Sequence, residues 1–146
     1  MFISSLISFS VLAMPIELSI TKTNVTPEVV KQFDGVTIEI NRSELQTVQE
    51  NETVVVPDFP LGNDKQVKLR LQRFEVLTPN AEIVLGSVNS VGVALHRQMQ
   101  RPNVVLLKGA IEGDPSSRVF MAIGEHTTNG LIESNGITYV LAKDKS

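Results

Sequence analysis

Residues 104–123 read VVLLKGAIEGDPSSRVFMAI, and this stretch gives the clearest indication of the fold class. A mainly apolar stretch of eight residues, 104–111, is typical of a buried strand. The polar segment 112–117, EGDPSS, contains Gly, Asp and Pro and predicts a turn. A second apolar run, 118–123, then predicts a strand that returns beside the first. The segment is therefore interpreted as an antiparallel pair.

The same alternation of strands and turns continues on both sides. Downstream, Asn129 and Gly130 precede a short apolar pair, residues 134–136 (SNG) form a turn, and 137–141 (ITYVL) form a closing strand. Upstream, a half-buried strand is predicted at 36–40. The predicted fold is mostly β: a single domain of antiparallel strands, meander or sandwich-like, with at most one or two short helices. One such helix is predicted at 26–32, ending near Gly35.

The middle of the chain gives more specific expectations. A strand at 53–56 is expected to end at Pro57, with a loop over 57–64. In 67–77 the apolar residues change parity, so a bulge near Gln72 is predicted to bring both sets inside. A turn at 78–80 and a return strand at 81–85 complete a long hairpin. Residues 86–103 are left open between loop and short helix.

Size and composition exclude several classes of protein. A chain of 146 residues suits one domain with one core, and its hydrophobic fraction of 42% is that of a globular protein. The net charge is −3 and no run of Lys or Arg is present, which argues against nucleic acid as a partner. The absence of cysteine excludes disulfides, thiolate metal sites and a cysteine nucleophile.

Residues 2–13 (FISSLISFSVLA) are uncharged and mostly apolar. They predict a signal peptide at residues 1–13 with cleavage after Ala13, although no basic residue precedes Lys22. The remaining domain would then span 14–146, and the protein would be secreted or held in the cell envelope. The apolar segment is too short for a stable membrane span, which needs about 20 helical residues. A first β-strand or a buried helical turn is the alternative.

No catalytic, cofactor or metal site is predicted. The two histidines, His96 and His126, are thirty positions apart and cannot form an HExxH pair. Ser116 and Ser117 follow a proline without a nucleophile-elbow motif and are interpreted as turn formers. The glycines lack phosphate-loop spacing, so no cofactor is implied. The sequence therefore predicts that the chain is not an enzyme.

The last third resembles a known family. Residues 109–123 (GAIEGDPSSRVFMAI), 129–132 (NGLI) and 136–141 (GITYVL) are similar to the propeptide of reprolysin-type (M12B) zinc metallopeptidases, and the upstream 67–86 is similar to bacterial members. The family pattern is a strand, a G-x-P-x-S turn, a strand, a glycine-containing return and a strand with Tyr. The matching structural positions are Gly109, Gly113, Pro115, Ser117, Val119, Gly130 and Tyr139. The resemblance puts the turn at Gly113 to Ser117, another turn at Gly130 and the last strand at Tyr139.

The resemblance implies a non-catalytic, propeptide-like domain that inhibits a secreted zinc metallopeptidase or assists its folding. The implied partner is a metallopeptidase catalytic domain, in the same longer chain or on another chain. Since the sequence has neither HExxH nor cysteine, it matches the propeptide without the catalytic domain and excludes inhibition by a cysteine thiolate. The alternative is a free-standing secreted or surface β-domain for adhesion or assembly.

Overall fold

The structure is a computed structural model that describes residues 13–23, 28, 32 and 34–143. The predicted signal peptide, apart from Ala13, and most of the predicted helix at 26–32 lie outside these residues. The described ranges contain the short helix α1 (Arg42–Leu45), and Glu28, within the predicted helix at 26–32, is also helical. Its strands are β1 (Ile16–Glu17), β2 (Ile20–Lys22), β3 (Ile38–Ile40), β4 (Thr53–Pro60), β5 (Gln66–Phe74), β6 (Ile83–Val88), β7 (Ala94–Met99), β8 (Val104–Ile111), β9 (Asp114–Gly124), β10 (Thr128–Ser134) and β11 (Ile137–Ala142).

Seven strands form the main sheet in the order β1-β4-β5-β8-β9-β10-β11. Every neighbouring pair is antiparallel except β1 and β4, which are parallel. Two further sheets have two strands each, β2 with β3 and β6 with β7. The predicted fold class, a mostly β single domain of antiparallel strands with at most two short helices, is confirmed.

The C-terminal meander follows the sequence prediction most closely. Strands β8 to β11 pair consecutively, as the turn signals between them require. Asn135 and Gly136 join β10 to β11 with φ of +52° and +76°. Positive φ at both central residues is the type I′ geometry, whose twist suits a two-residue hairpin. This end of the fold is therefore determined by local turn chemistry.

Strand β4 corrects the predicted loop at 57–64. The strand continues through Pro57 to Pro60, and its pairing with β5 shifts by one residue between Val56 and Phe59. This bulge takes Pro57 out of the regular ladder, where its missing N–H would otherwise leave a carbonyl unpaired. It also reverses the side-chain parity, so that Val56 and Phe59 are both buried. The turn is limited to the residues around Gly62.

The bulge predicted near Gln72 is wrong. Strand β5 keeps an unbroken register with β8 from Leu69 to Phe74. Phe74 therefore lies on the outer face of the sheet, where its ring centroid is 6.0 Å from that of Phe120. The change of parity in the sequence reflects a second, outward-facing cluster. Val76 follows the strand and is 71% exposed.

The predicted long hairpin between 67–77 and 81–85 is also wrong. Strand β5 lies between β4 and β8, whereas β6 pairs with β7. The segment 86–103, left open between loop and helix, contributes the end of β6 and all of β7. Leu69 and Leu71 face the core from β5. Strand β8, which pairs with β5, continues this buried surface with Leu107 and Ile111.

The core lies on one face of the main sheet. Its buried side chains come from the sheet and from the N-terminal segments, which lie over that face. Glu44 of α1 binds the segment between β1 and β2: its carboxylate oxygens accept hydrogen bonds from the Ser19 N–H (2.7 Å) and the Ser19 hydroxyl (3.1 Å). The buried set is Leu18, Leu45, Val48, Val54, Val56, Phe59, Leu61, Leu69, Leu71, Val105, Leu107, Ile111, Val119, Met121, Ile123 and Ile132. The opposite face is left to solvent over much of its area.

Candidate functional site

The G-x-P-x-S segment forms the irregular connection between β8 and β9. Gly113 has φ of +85°, a conformation that side-chain-bearing residues rarely adopt. The register of the β8–β9 ladder shifts next to the turn, from Gly109 opposite Val119 to Ile111 opposite Asp114. Pro115 lies in the extra residues that this shift accommodates. The predicted turn is therefore present, but it is a two-residue turn followed by a bulge within β9.

Ser117 closes that bulge. Its hydroxyl oxygen accepts a hydrogen bond from the buried Ile111 N–H (2.8 Å) and its hydroxyl donates to the Asp114 carbonyl (2.6 Å). The side chain is almost completely buried. Because the hydroxyl proton is already donated to a carbonyl, Ser117 is a structural residue and has no base to activate it. The interpretation as a turn former agrees with these contacts.

Asp114 joins this connection to the next hairpin. Its two carboxylate oxygens accept hydrogen bonds from the Ser116 hydroxyl (2.7 Å) and the Ser134 hydroxyl (2.8 Å). The Ser116 bond first, and the Ser134 bond second, lower the pKa of the Asp114 carboxyl below its ordinary value. Sequence reasoning missed Ser134, since its contact with Asp114 depends on the pairing of β9 and β10. The group stabilises the strand ends and offers no reactive atom.

The remaining family positions lie inside strands. Gly130 is within β10, opposite Met121 and Leu141, so its expected placement in a turn is wrong. A Cβ at this position would lie 2.5 Å from the Phe120 carbonyl oxygen, which explains the glycine by close backbone approach. Gly109, inside β8, is crowded in the same way by the Arg70 carbonyl.

Val119 and Tyr139 belong to the core face. Val119 is buried in β9. Tyr139 lies opposite Ile132 in β11 and packs, half-buried, against the core. These positions therefore come together as a structural framework at β8 to β11, and two of them, Gly109 and Val119, also line a shallow cavity beside Arg70 and Lys108.

The histidines lie apart from any cluster of ligands. His96 is exposed in β7, and the His126 ring nitrogen lies 3.6 Å from the Glu125 carboxylate with both side chains about four-fifths exposed. Among the described residues, no group of three His, Asp or Glu side chains is close enough to hold a metal ion. The helical residues in the described ranges also include no segment long and apolar enough to cross a bilayer.

The β6–β7 hairpin is an exposed apolar surface. Neither strand pairs with the main sheet. The Asn89 side-chain oxygen accepts hydrogen bonds from the Val91 and Val93 N–H groups, at 3.1 and 2.9 Å, and orders the turn. Seven large apolar side chains of the hairpin are at least 42% exposed: Val84, Leu85, Val88, Val91, Val93, Leu95 and Met99. Extensive exposed apolar surface commonly marks a site of interaction.

The hairpin has two different faces. The register of the two strands places Ile83, Leu85, Leu95 and Met99 on one face, interrupted by Arg97. Val84 and Val88 lie on the other face with His96 and Gln98. Both faces are only partly polar, whereas an ordinary solvent-exposed hairpin alternates apolar and polar faces. The hairpin can therefore present apolar groups to a partner from either side.

Comparison with protein-family models, with curated proteins and with solved structures finds no match to this chain.

Proposed function

We propose that this chain is a non-catalytic, propeptide-like domain that binds a secreted zinc metallopeptidase and inhibits it or assists its folding. The observation that carries the proposal is the β6–β7 hairpin, which exposes seven large apolar side chains outside the main sheet. Such an exposure costs solubility unless a partner covers it. The resemblance of residues 109–141 supplies the kind of partner. The proposal implies that the chain is secreted or lies in the cell envelope.

The first experiment uses the full chain as bait in the native secretome, with captured proteins identified by mass spectrometry. We expect a zinc metallopeptidase, and we expect its activity to fall, or its yield of active enzyme on refolding to rise, when the purified chain is added. The double variant Leu85→Ser, Val88→Ser should lose both capture and effect, because it removes two apolar groups from the hairpin. Val76→Ser is the control, since Val76 is at least as exposed as Leu85 and Val88 but lies outside the hairpin.

A second function, assembly or adhesion by a free-standing β-domain, is favoured by the edge strand β11. Within the described strands, β11 pairs with β10 alone, so its outer backbone groups are available. The strand has no charged residue, no proline and no register shift, features that usually protect an edge. Capture of only surface polymers or of the chain itself would contradict the metallopeptidase proposal and leave this function.

A further inference from the structure

Three cationic side chains meet on the outer face of the main sheet. Arg70 of β5, Lys108 of β8 and Arg118 of β9 line one shallow cavity together with Thr53 and Gln72. The strand pairing explains why they meet: Arg70 lies opposite Ala110, and Lys108 lies opposite Phe120, two positions from Arg118. The small side chain of Ala110 leaves space between the two arginines. We call these three residues the cationic cluster.

Among the described residues, no ion pair neutralises the arginines of the cationic cluster, although Glu133 lies opposite Arg118 in the β9–β10 ladder. On the same strand, Lys68 pairs with Glu112 at 3.0 Å and Arg73 pairs with Glu75 at 2.8 Å. In the part of the chain that the structure describes, neither Arg70 nor Arg118 forms an ion pair or a side-chain hydrogen bond.

Two further features describe the charge of the cluster. Lys108 lies 5.0 Å from the centre of the Phe74 ring, which orients it without neutralising its charge. The protein as a whole has a net charge of −3, so the cluster is a local exception to an acidic surface. Arginine is suited to binding carboxylates because its planar guanidinium can donate two parallel hydrogen bonds to one carboxylate.

An apolar row leads from the cationic cluster to the edge of the sheet. Lys108 lies opposite Phe120, Phe120 opposite Leu131, and Leu131 opposite Val140. Phe120 and Leu131 are each 38% exposed and Val140 is 78% exposed. The row ends at β11, whose outer backbone N–H and C=O groups can pair with an extended chain. Cations, apolar groups and free backbone therefore adjoin on one face.

We propose that this face binds an acidic, partly apolar, extended segment of a partner protein. Carboxylates of the segment bind Arg70, Arg118 and Lys108, and its apolar side chains pack on Phe120, Leu131 and Val140. A sulfated polysaccharide or a nucleic acid would satisfy the cations but offers no aliphatic side chains for the row. The identification of the partner as a metallopeptidase rests on the proposed function, whereas the carboxylate site does not.

The test measures fluorescence anisotropy with the full chain and a labelled peptide of alternating Glu and Leu. Arg70→Gln combined with Arg118→Gln should weaken binding about tenfold, as expected for two lost charge-assisted contacts. Lys65→Gln is the control, because Lys65 is an exposed cation in the turn between β4 and β5, outside both the cluster and the β6–β7 hairpin. Equal weakening by the control would show that binding follows overall charge alone and would overturn the proposal.

A second peptide tests the apolar row. A peptide of alternating Glu and Ser should bind the chain more weakly than the peptide of alternating Glu and Leu. The variant Val140→Ser should reduce this difference in affinity. Equal affinity of the two peptides would show that the apolar row does not contribute to binding. If a sulfated polysaccharide displaced the peptide and required the same arginines, the choice of a protein segment as the ligand would be wrong. The assay contains no peptidase, so its outcome is independent of the capture experiment. Peptide binding without capture of a peptidase would contradict only the proposed function. Capture of a peptidase without peptide binding would contradict only this site.

Discussion

Gly130→Ala is the change that most directly tests the pairing of β9 and β10. The added Cβ would lie 2.5 Å from the Phe120 carbonyl oxygen and 3.3 Å from the Met121 Cα, both backbone atoms of β9. Real Cβ contacts essentially never fall below 3.0 Å, so the two strands must separate by at least about 0.5 Å. Backbone of a central ladder cannot turn away as a flexible side chain can.

The magnitude follows from that separation. Overpacking a well-packed interior costs about 1–3 kcal/mol. Each ladder hydrogen bond that lengthens beyond good geometry adds up to about 1 kcal/mol. Gly130 lies between β9 and β11, so both ladders are affected. We therefore expect the free energy of unfolding to fall by about 3 kcal/mol, a large part of the 5–15 kcal/mol typical of a domain.

The assay is equilibrium unfolding in urea, followed by circular dichroism. Gly86→Ala is the matched control: Gly86 is also within a strand, but a Cβ there would meet nothing within 4 Å. The control should be neutral or stabilising by up to about 1 kcal/mol, since alanine reduces the entropy of the unfolded chain. If Gly130→Ala is as stable as Gly86→Ala, the close approach of β9 and β10 is wrong and a turn at Gly130 would again be tenable.

Three further predictions concern other parts of the structure. Because the pKa of the Asp114 carboxyl is lowered in the folded state, its contribution to stability is present above the ordinary pKa of aspartate and is lost as pH falls through the lower folded value. Asp114→Asn should therefore reduce the fall in the free energy of unfolding between about pH 5 and pH 2, measured by urea unfolding at each pH. Ser117→Ala should cost about 1–3 kcal/mol in the free energy of unfolding, since it leaves the buried Ile111 N–H without its acceptor, and the exposed Ser116→Ala should cost less. Phe59→Ala should lower the free energy of unfolding by about 3–5 kcal/mol, because Phe59 lies beyond the bulge of β4 and is only 4% exposed. If the variant were as stable as the original chain, the expected loop over 57–64 would describe this segment better than a strand.

The sequence predicts those strands whose turns are determined locally. Asn135 and Gly136 favour one turn type, and the strands on either side of them pair as that turn requires. The strands at 104–111 and 118–123 are confirmed for a related reason. A short, mainly apolar stretch bounded by turn residues such as Gly, Asp and Pro is typical of a buried strand. Here a short range of sequence contains all the information that the fold uses.

Strand pairing over longer range could not be predicted. The sequence does not show that one extra residue near Pro57 reverses the parity of β4, because proline in that context is more often the end of a strand. It also does not show that β5 pairs with β8 across the intervening β6–β7 hairpin, since adjacent strands usually pair with each other. The contact of Asp114 with Ser134 depends on such pairing and was missed for the same reason.

The cationic cluster shows why binding surfaces on sheets are harder to predict than catalytic motifs. Arg70 and Arg118 are 48 positions apart, and each lies in a strand whose alternate residues face the core. In the sequence, each arginine is therefore an ordinary outward residue of an amphipathic strand. A shift of one residue in the pairing of β5 or β9 would turn its side chain toward the core and abolish the cluster. The site is thus a property of register, and the apolar residues that stabilise the register also determine which charges meet on the opposite face.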